Sequence, residues 1–305
     1  MEARLLVEFH ECITESLDII FEEEALIGEE LRSMLKSFKE EKADVGYSFG
    51  KLCVIHYEAF SDYYNEDIYK VAAAIELLIL SFDIIDDLQD QDAEYSWSKT
   101  PDLSLNTAIA MLVLASKIIR ESSFEHKDLA VQILERYALL SINGQQLDLL
   151  DSCRDEQSYL QMTEQKSGSL TAMSCLIGEV LAKGEMSAQV EAYSKYIGII
   201  QQIKNDIQDL KKWDSKNDLL NKKFTLPIIF LFSTENDVSK SVKEYYNVDI
   251  VTFLDNYAIE KELTNGGAIR YALAVKNVLK QMALHHLEDV TMSNEGKEFI
   301  KKLMK

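Results

Sequence analysis

The chain has 305 residues, 47% of them hydrophobic, and a formal net charge of -20. A chain this acidic is a poor partner for nucleic acid or an anionic membrane, and its length suffices for a large core. Its four Cys residues are scattered and form no C-x-x-C pair, which is typical of reduced thiols in a cytoplasmic protein. No apolar run is long enough for stable membrane insertion, and acidic residues within the N-terminal stretch argue against a signal peptide.

Only two Pro and 11 Gly interrupt long runs rich in Ala, Leu, Ile, Glu and Lys, which predicts an all-α protein. In chain order, the expected helices lie within residues 1–40 (two helices), 51–64, 66–91, 105–122, 126–152, 158–182 and 187–213. Residues 92–104 are expected to form a loop, and Gly168 a break or kink. Pro227 suits the first turn of a further helix, and two or three helices complete the chain.

Acidic side chains close the predicted helix over 66–91. Asp86 and Asp90 lie four residues apart and therefore share a helix face, with Asp87 beside them. Like charges at this spacing repel, whereas a hard dication such as Mg²⁺ binds carboxylate oxygens. Taken alone, the cluster fits a solvated helix end equally well. A calcium loop beginning at Asp90 is rejected, because Tyr95 stands where that loop requires Gly.

A second cluster makes a metal site the better interpretation. Asn205 and Asp209 again lie four residues apart, with Asp206 between them, late in an apolar helix. Two such faces at one cavity would hold several Mg²⁺ ions, which commonly bind the oxygens of a diphosphate. Lys166 and Lys223, each of which taken singly would be a surface Lys, then become candidate diphosphate ligands.

These segments together resemble the trans-isoprenyl diphosphate synthases, the polyprenyl synthetase family. The matching segments, in the family's order, are "FGK" (49–51), "DDLQD" (86–90), "GQQLDL" (144–149), "KSGSL" (166–170), "QIKNDIQD" (202–209) and "KFTLP" (223–227). The resemblance implies an all-α, single-domain helical bundle over residues 1–305, built around a deep apolar cavity with both acidic motifs at its mouth (the isoprenoid synthase fold). It also implies a homodimer, and Mg²⁺-dependent ionisation of an allylic isoprenyl diphosphate such as geranyl or farnesyl diphosphate.

The family motifs also assign roles to individual residues. The residues implied to be catalytic are Asp86, Asp87, Asp90, Lys166 and Asp206. The implied Mg²⁺ ligands are Asp86, Asp87, Asp90, Asn205, Asp206 and Asp209. The implied substrate-binding residues are Lys51, Phe82, Gln145, Lys166, Gln202 and Lys223. Phe82 lies one turn before Asp86 and would limit the length of the isoprenyl tail, unless it is an ordinary core residue.

The chain departs from the family where chain-elongating members bind isopentenyl diphosphate. Of the basic residues that hold this second diphosphate, only Lys51 is kept. The other basic positions correspond to Leu52, Val54, Ile79, Tyr95 and Ser96. A diphosphate without cationic partners would be costly to bury, so an uncharged acceptor is expected. "ELLILSFDIIDDLQDQD" and "SGSL" resemble the ComQ branch, whose acceptor is the indole of a Trp in a quorum-sensing pheromone precursor peptide.

Four alternatives are open. A short-chain prenyl (geranyl, farnesyl or geranylgeranyl) diphosphate synthase would need a rewired isopentenyl site. A silent partner subunit of a two-component synthase would be expected to lose Asp ligands, and here nearly all are present. A terpene cyclase fits poorly, because Asp209 and Trp213 stand where its motif has Ser and Glu. An acidic helical scaffold without chemistry would require the ordered motifs to be accidental.

Overall fold

A computed structural model of the protein describes residues 2–43, 46–90, 95–213, 217–247 and 255–305. Within these residues it contains fourteen α-helices, two short helical turns and no strand, which confirms the all-α prediction. The first seven helices are α1 (Glu2–Glu23), α2 (Glu29–Ala43), α3 (Ser48–Phe60), α4 (Asp67–Gln89), α5 (Pro101–Glu121), α6 (Lys127–Leu149) and α7 (Glu156–Thr163). The others are α8 (Ser169–Lys183), α9 (Ala188–Asp209), α10 (Leu226–Ser233), α11 (Asp237–Asn247), α12 (Asn256–Asn265), α13 (Ala268–Glu288) and α14 (Asn294–Leu303).

Several predicted boundaries need correction. The loop expected over residues 92–104 is too long, because Ser96–Lys99 is a 3₁₀ turn and α5 already begins at Pro101. The first three residues of the expected loop lie outside the described part of the chain. Proline starts a helix readily because its φ is preset and its missing N–H would be unbonded there anyway. The kink expected at Gly168 is a π-helical turn over Glu164–Gly168. Four described helices follow α10, not two or three, and Pro227 does lie in the first turn of α10.

The chain divides into two compact units. The first consists of Met1–Ala138, Leu170–Glu191 and Val290–Glu298. The second consists of Leu139–Ser169, Ala192–Asp289 and Phe299–Lys305. The first acidic motif belongs to the first unit and the second motif to the second unit. A single domain over residues 1–305 and the deep apolar cavity stay predictions.

Helix α4 forms the centre of the first unit. Every residue from Val71 to Ser81 is buried, and the helix packs against α1, α3 and α5. Apart from Glu76 and Ser81 this stretch is apolar on all sides, and such a helix is stable only when it is covered on all sides inside the core. Because the helix continues to Gln89, its carboxyl end carries Asp86 and Asp87 out of the core to the partly exposed region.

Helix α5 has an exposed apolar face. Leu103, Leu105, Ile109 and Val113 are 57%, 42%, 57% and 63% exposed. Among the described helices, α5 is the one whose length and apolar composition would suffice to cross a bilayer, and 39% of that stretch is buried within the protein. A contiguous apolar face of this kind marks an interaction surface.

The second unit has its own apolar cluster around the segment that follows α9. Its buried members include Leu210, Leu219, Ile228, Leu231, Val242 and Leu263. Helix α10 packs against α13 and α11 in the same region. Because Leu219 is buried in this cluster four residues before Lys223, its packing helps to fix the chain that leads to Lys223.

Candidate active site

The first acidic motif lies at the carboxyl end of α4. Asp86 and Asp87 are partly buried there, and Asp90 is exposed at the helix cap, where its N–H donates to the carbonyl of Asp86 at 2.9 Å. The last turn of α4 contains no basic residue, so the helix dipole adds to the repulsion between the carboxylates. A bound cation would offset both effects, which is consistent with the predicted role of these residues.

Side chains from outside α4, those of Trp97 and Lys42 among the described residues, contact this helix end. The indole Nε1 of Trp97 donates to Asp87 Oδ2 at 2.9 Å. Lys42 Nζ lies 2.6 Å from Asp83 Oδ2, one turn before the motif. The Lys42 cation therefore compensates Asp83, while the indole, which has no charge, orients Asp87 without neutralising it.

The second acidic motif lies at the carboxyl end of α9. Asn205 is exposed, Asp206 is buried, and Asp209 lies 3.4 Å from Lys212 Nζ. Burial raises the pKa of Asp206, although hydrogen bonds from Tyr159 and Gln202 act in the opposite direction. Asp206 is therefore a desolvated carboxyl group that neighbouring donors hold in place.

Both oxygens of Asp206 accept a hydrogen bond. Tyr159 donates its hydroxyl to Oδ2, and Gln202 Nε2 donates to Oδ1 at 2.9 Å. Gln202 in turn accepts a hydrogen bond from Ser167 Oγ at 2.8 Å. Burial and the adjacent Asp206 raise the pKa of Tyr159, so the phenol keeps its proton and acts as a donor. The predicted residues Gln202 and Asp206 are thus brought together, and the hydrogen bond to Gln202 connects them to Ser167, the residue next to Lys166.

Lys166 is presented by the π-helical turn. Its Nζ lies 2.7 Å from Asp148 Oδ2, and both side chains are about one fifth exposed, at 19% and 22%. Its carbonyl accepts a hydrogen bond from Ser141 Oγ at 2.7 Å. The ion pair holds the ammonium group at a partly exposed position, where it remains accessible to an anion.

Two glycines allow this turn to fit between its neighbours. A Cβ on Gly144 of α6 would lie 2.2 Å from Lys166 N, and one on Gly198 of α9 would lie 2.5 Å from Ser167 O. Any side chain at either position would collide with backbone atoms, which cannot move aside. The two glycines therefore explain how "KSG" is held between α6 and α9.

Lys223 follows a buried acid in the segment before α10. Its N–H donates to the carbonyl of Asp218 at 2.8 Å, and its side chain is partly exposed. Burial raises the pKa of Asp218, as does the charge of Asp206, whereas Lys223 lowers it. These interactions connect Lys223 electrostatically to the second acidic motif.

The other predicted substrate-binding residues are partly buried. Lys51 Nζ lies over the ring of Phe9, 5.4 Å from its centroid. Phe82 lies on α4 and Gln145 on α6, both with intermediate exposure. Their assignment to a substrate stays a prediction, as does the expectation that the two acidic motifs share one mouth.

The side chains predicted to bind metal all offer oxygen atoms, the ligand type that Mg²⁺ prefers. In the part of the chain that the structure describes, no three Asp, Glu, His or Cys side chains converge into a closed metal cage. Mg²⁺ does not require one, because it usually keeps waters and binds phosphate oxygens beside one or two carboxylates. The donor set therefore fits Mg²⁺ bound together with a diphosphate.

Comparison with known proteins places the chain in a family. A sequence profile described as polyprenyl synthetase matches residues 49–252. The chain belongs to the polyprenyl synthetase family. It is 34% identical over 269 residues to the tryptophan prenyltransferase ComQ of Bacillus subtilis subsp. natto (strain BEST195), covering 88% of this chain and 82% of that protein. The tryptophan prenyltransferase ComQ of Bacillus spizizenii is 38% identical over 220 residues, which cover 72% of this chain and 77% of that protein.

Solved structures agree on the fold. The polyprenyl synthase from Caulobacter crescentus CB15, complexed with calcium and isoprenyl diphosphate, matches with a TM-score of 0.82 and 18% sequence identity, over 99% of this chain and 94% of that one. The predicted isoprenoid synthase fold is confirmed. The chain's membership in the polyprenyl synthetase family and its similarity to tryptophan prenyltransferases identify the protein as an enzyme that transfers prenyl groups.

Sequence reasoning did not identify four residues of the candidate site. They are Trp97, Asp148, Tyr159 and Asp218, each of which contacts or electrostatically influences a predicted residue. Asp148 lies within the recognised "GQQLDL" segment, so its position in a family motif could have identified it as a site residue. No sequence signal marks Tyr159, because nothing in the neighbouring residues distinguishes it from the 13 other Tyr residues of the chain.

Proposed function

We propose that this polyprenyl synthetase transfers the isoprenyl group of geranyl or farnesyl diphosphate to the indole of a Trp in a quorum-sensing pheromone precursor peptide. The observation that carries the proposal is the burial of Leu52, Val54 and Ile79, which are 3%, 0% and 2% exposed. They stand at positions expected to be basic in chain-elongating members. A diphosphate placed against them would be unpaired, at a cost on the order of several kcal/mol. The similarity to two tryptophan prenyltransferases supports an indole as acceptor.

The charged end of the allylic substrate is proposed to bind at Lys166 and Lys223. The accompanying Mg²⁺ would be held by Asp86, Asp87, Asp90, Asn205, Asp206 and Asp209. When bound, Mg²⁺ supplies the positive charge that makes diphosphate a stable leaving group. Asp148 positions the Lys166 ammonium group through the 2.7 Å ion pair. Tyr159 and Gln202 orient Asp206 through its two hydrogen bonds.

The proposed transfer breaks the C–O bond of the allylic diphosphate and forms a C–C bond to a ring carbon of the indole. Diphosphate and one proton leave. Indole is a neutral nucleophile, so it requires none of the cationic residues that are missing from the chain. An ordinary chain-elongating synthase would instead need to hold a second diphosphate, and the buried side chains of Leu52, Val54 and Ile79 offer it no positive charge.

The exposed face of α5 supports the proposed homodimer. Its four apolar side chains form a stripe that a second copy of α5 would cover. The net charge of -20 disfavours an anionic membrane as the alternative occupant. Ile109→Glu is expected to convert the protein to a monomer in sedimentation equilibrium, whereas the exposed control Glu135→Gln is expected to leave the dimer intact. A wild-type protein that is monomeric throughout would refute this part of the proposal.

A competition experiment tests the acceptor. The purified protein is incubated with Mg²⁺ and either geranyl or farnesyl diphosphate, while isopentenyl diphosphate and a Trp-containing precursor peptide are offered together. Mass spectrometry then shows which acceptor gains an isoprenyl mass. The same peptide with Trp replaced by Phe is the matched control.

Each outcome points to one function. A prenylated Trp peptide, with no elongated diphosphate, is the expected result. An elongated diphosphate would identify a short-chain prenyl diphosphate synthase. If neither acceptor gains mass, a silent partner subunit of a two-component synthase becomes the better interpretation, and the proposed function is refuted.

A further inference from the structure

Trp97 lies in the 3₁₀ turn between α4 and α5, and its side chain is only 2% exposed. Tyr95 stacks on one face of the indole, with ring centroids 4.4 Å apart and planes 17° apart. Phe38 contacts it edge-on, at 5.6 Å and 78°. Rings held on two sides in this way have one orientation, so the direction of the indole N–H is fixed.

The turn itself is tied to the helices around it. Ser104 Oγ of α5 donates to the carbonyl of Trp97 at 2.8 Å. The N–H of Ser96 donates to Glu41 Oε2 of α2 at 3.1 Å. Trp97 is therefore attached through its own turn to α2 and α5, two helices of the first unit that hold the turn independently of the bond to Asp87.

From this fixed position the indole N–H donates to Asp87 Oδ2 at 2.9 Å. An indole N–H is a donor only, and in a buried site it needs an acceptor. Here the acceptor is a carboxylate of the first acidic motif. The hydrogen bond restrains rotation of the Asp87 carboxyl group.

We propose that Trp97 is a positioning residue, which holds the Asp87 carboxylate in the orientation that binds the metal. The inference rests on the metal site in the proposed function. Donors that orient metal-binding carboxylates typically contribute 10–100-fold to metal affinity, because they remove the cost of ordering the ligand when the metal binds. A hydrogen bond from a neutral indole does this without adding a positive charge that would compete with the cation.

Trp97→Phe removes the N–H and keeps an aromatic ring between Tyr95 and Phe38. The matched control is Trp213→Phe, at the only other Trp in the chain, whose Nε1 has no hydrogen-bond partner among the described residues. Mg²⁺ binding in the presence of inorganic diphosphate is measured calorimetrically for both variants and the wild type. Trp97→Phe is expected to weaken binding about tenfold, and Trp213→Phe to leave it unchanged.

A second measurement leaves Trp97 intact. In the Trp213→Phe protein, Trp97 is the sole indole fluorophore, so its emission reports on Asp87 directly. Titration with Mg²⁺ and diphosphate is expected to change that emission with the same midpoint as calorimetry. Unaltered Mg²⁺ affinity in Trp97→Phe, or emission that does not respond to Mg²⁺, overturns the inference.

The acceptor competition experiment separates this inference from the proposed function. If the wild type prenylates the Trp peptide while Trp97→Phe binds Mg²⁺ as tightly as the wild type, the inference fails and the function stands. If the wild type binds no Mg²⁺, the metal site fails and the inference fails with it. If the wild type binds Mg²⁺ and Trp97→Phe binds it more weakly, but no acceptor gains mass, the inference stands and the acceptor assignment fails.

Discussion

Replacing Glu76 with Gln is expected to stabilise the protein increasingly as the pH rises. Glu76 lies in the middle of α4, is 2% exposed, and accepts a hydrogen bond from the N–H of Gly50 at 2.6 Å. Its other oxygen, Oε2, has no hydrogen-bond partner among the described residues. Burial raises the pKa of Glu76 to about 7, although Lys42 and the N–H groups of Gly50 and Phe49 lower it and Asp83 raises it further.

The size of the effect follows from that pKa. The ordinary value is 4.5 and the value in the folded protein is about 7. Each tenfold change in proton affinity is worth about 1.4 kcal/mol, so ionising Glu76 in the folded state costs ~3 kcal/mol. Below pH 4.5 the group is protonated in both states and there is no penalty. Between pH 4.5 and about 7 only the unfolded chain releases the proton, so stability falls with rising pH across this window and then levels off.

Glutamine cannot ionise, so this pH-dependent loss disappears in Glu76→Gln. Urea denaturation followed by circular dichroism at pH 4.5 and pH 8 gives the free energy of unfolding of both proteins. The difference between variant and wild type is expected to shift by ~3 kcal/mol in favour of the variant between the two pH values. The buried amide adds a cost that is the same at both pH values, so it does not affect this shift.

Glu179→Gln is the matched control, since Glu179 is also buried but lies 2.8 Å from Lys183 Nζ and accepts two hydrogen bonds from Ser187. It is expected to be destabilising at pH 8, because a paired carboxylate is lost. A difference between Glu76→Gln and the wild type that is equal at both pH values would refute the argument from burial.

Five further substitutions test the site. Asp86→Ala or Asp206→Ala is expected to abolish Mg²⁺-dependent turnover while the far-ultraviolet circular dichroism is unchanged, and full activity in both would disprove the metal assignment. Phe82→Ala is expected to admit a longer allylic diphosphate, which product mass spectrometry would show, and an unchanged chain-length preference would remove Phe82 from the tail site. Gly144→Ala is expected to cost about 3 kcal/mol or more in urea denaturation, because its Cβ would lie 2.2 Å from a backbone nitrogen; a wild-type midpoint would contradict this. Tyr159→Phe is expected to cost about 1.5–3 kcal/mol, because a buried carboxylate loses a donor, and undiminished stability would show that the hydrogen bond is not needed.

The sequence alone determined the helical class and the place of both acidic motifs. Breaker spacing and helix-forming composition predict helices, and the i to i+4 spacing of Asp86 and Asp90 places them on one face. Pro227 also predicted the first turn of α10 correctly. These features depend on residues within a turn or two of one another, so a single stretch of sequence contains the whole signal.

Less could be predicted where the chain leaves regular helix. The loop expected before α5 is partly a 3₁₀ turn, held by the packing of Trp97 between Tyr95 and Phe38. The kink at Gly168 is a π-helical turn, because Gly144 and Gly198 let α6 and α9 approach its backbone. A polar sequence with a Gly predicts an irregular segment, but its conformation depends on which helices pack against it.

The tertiary structure alone decided which groups hold the predicted carboxylates. Tyr159 reaches Asp206 across 47 residues of sequence, and the indole of Trp97 reaches Asp87 across a helix end and a turn. A hydrogen-bond partner is set by the position and direction of a single donor atom in the packed core. Helix periodicity fixes the face from which a side chain projects, but long-range packing fixes what that side chain meets. For that reason the sequence suggests candidate ligands, whereas only the structure shows which residues contact them.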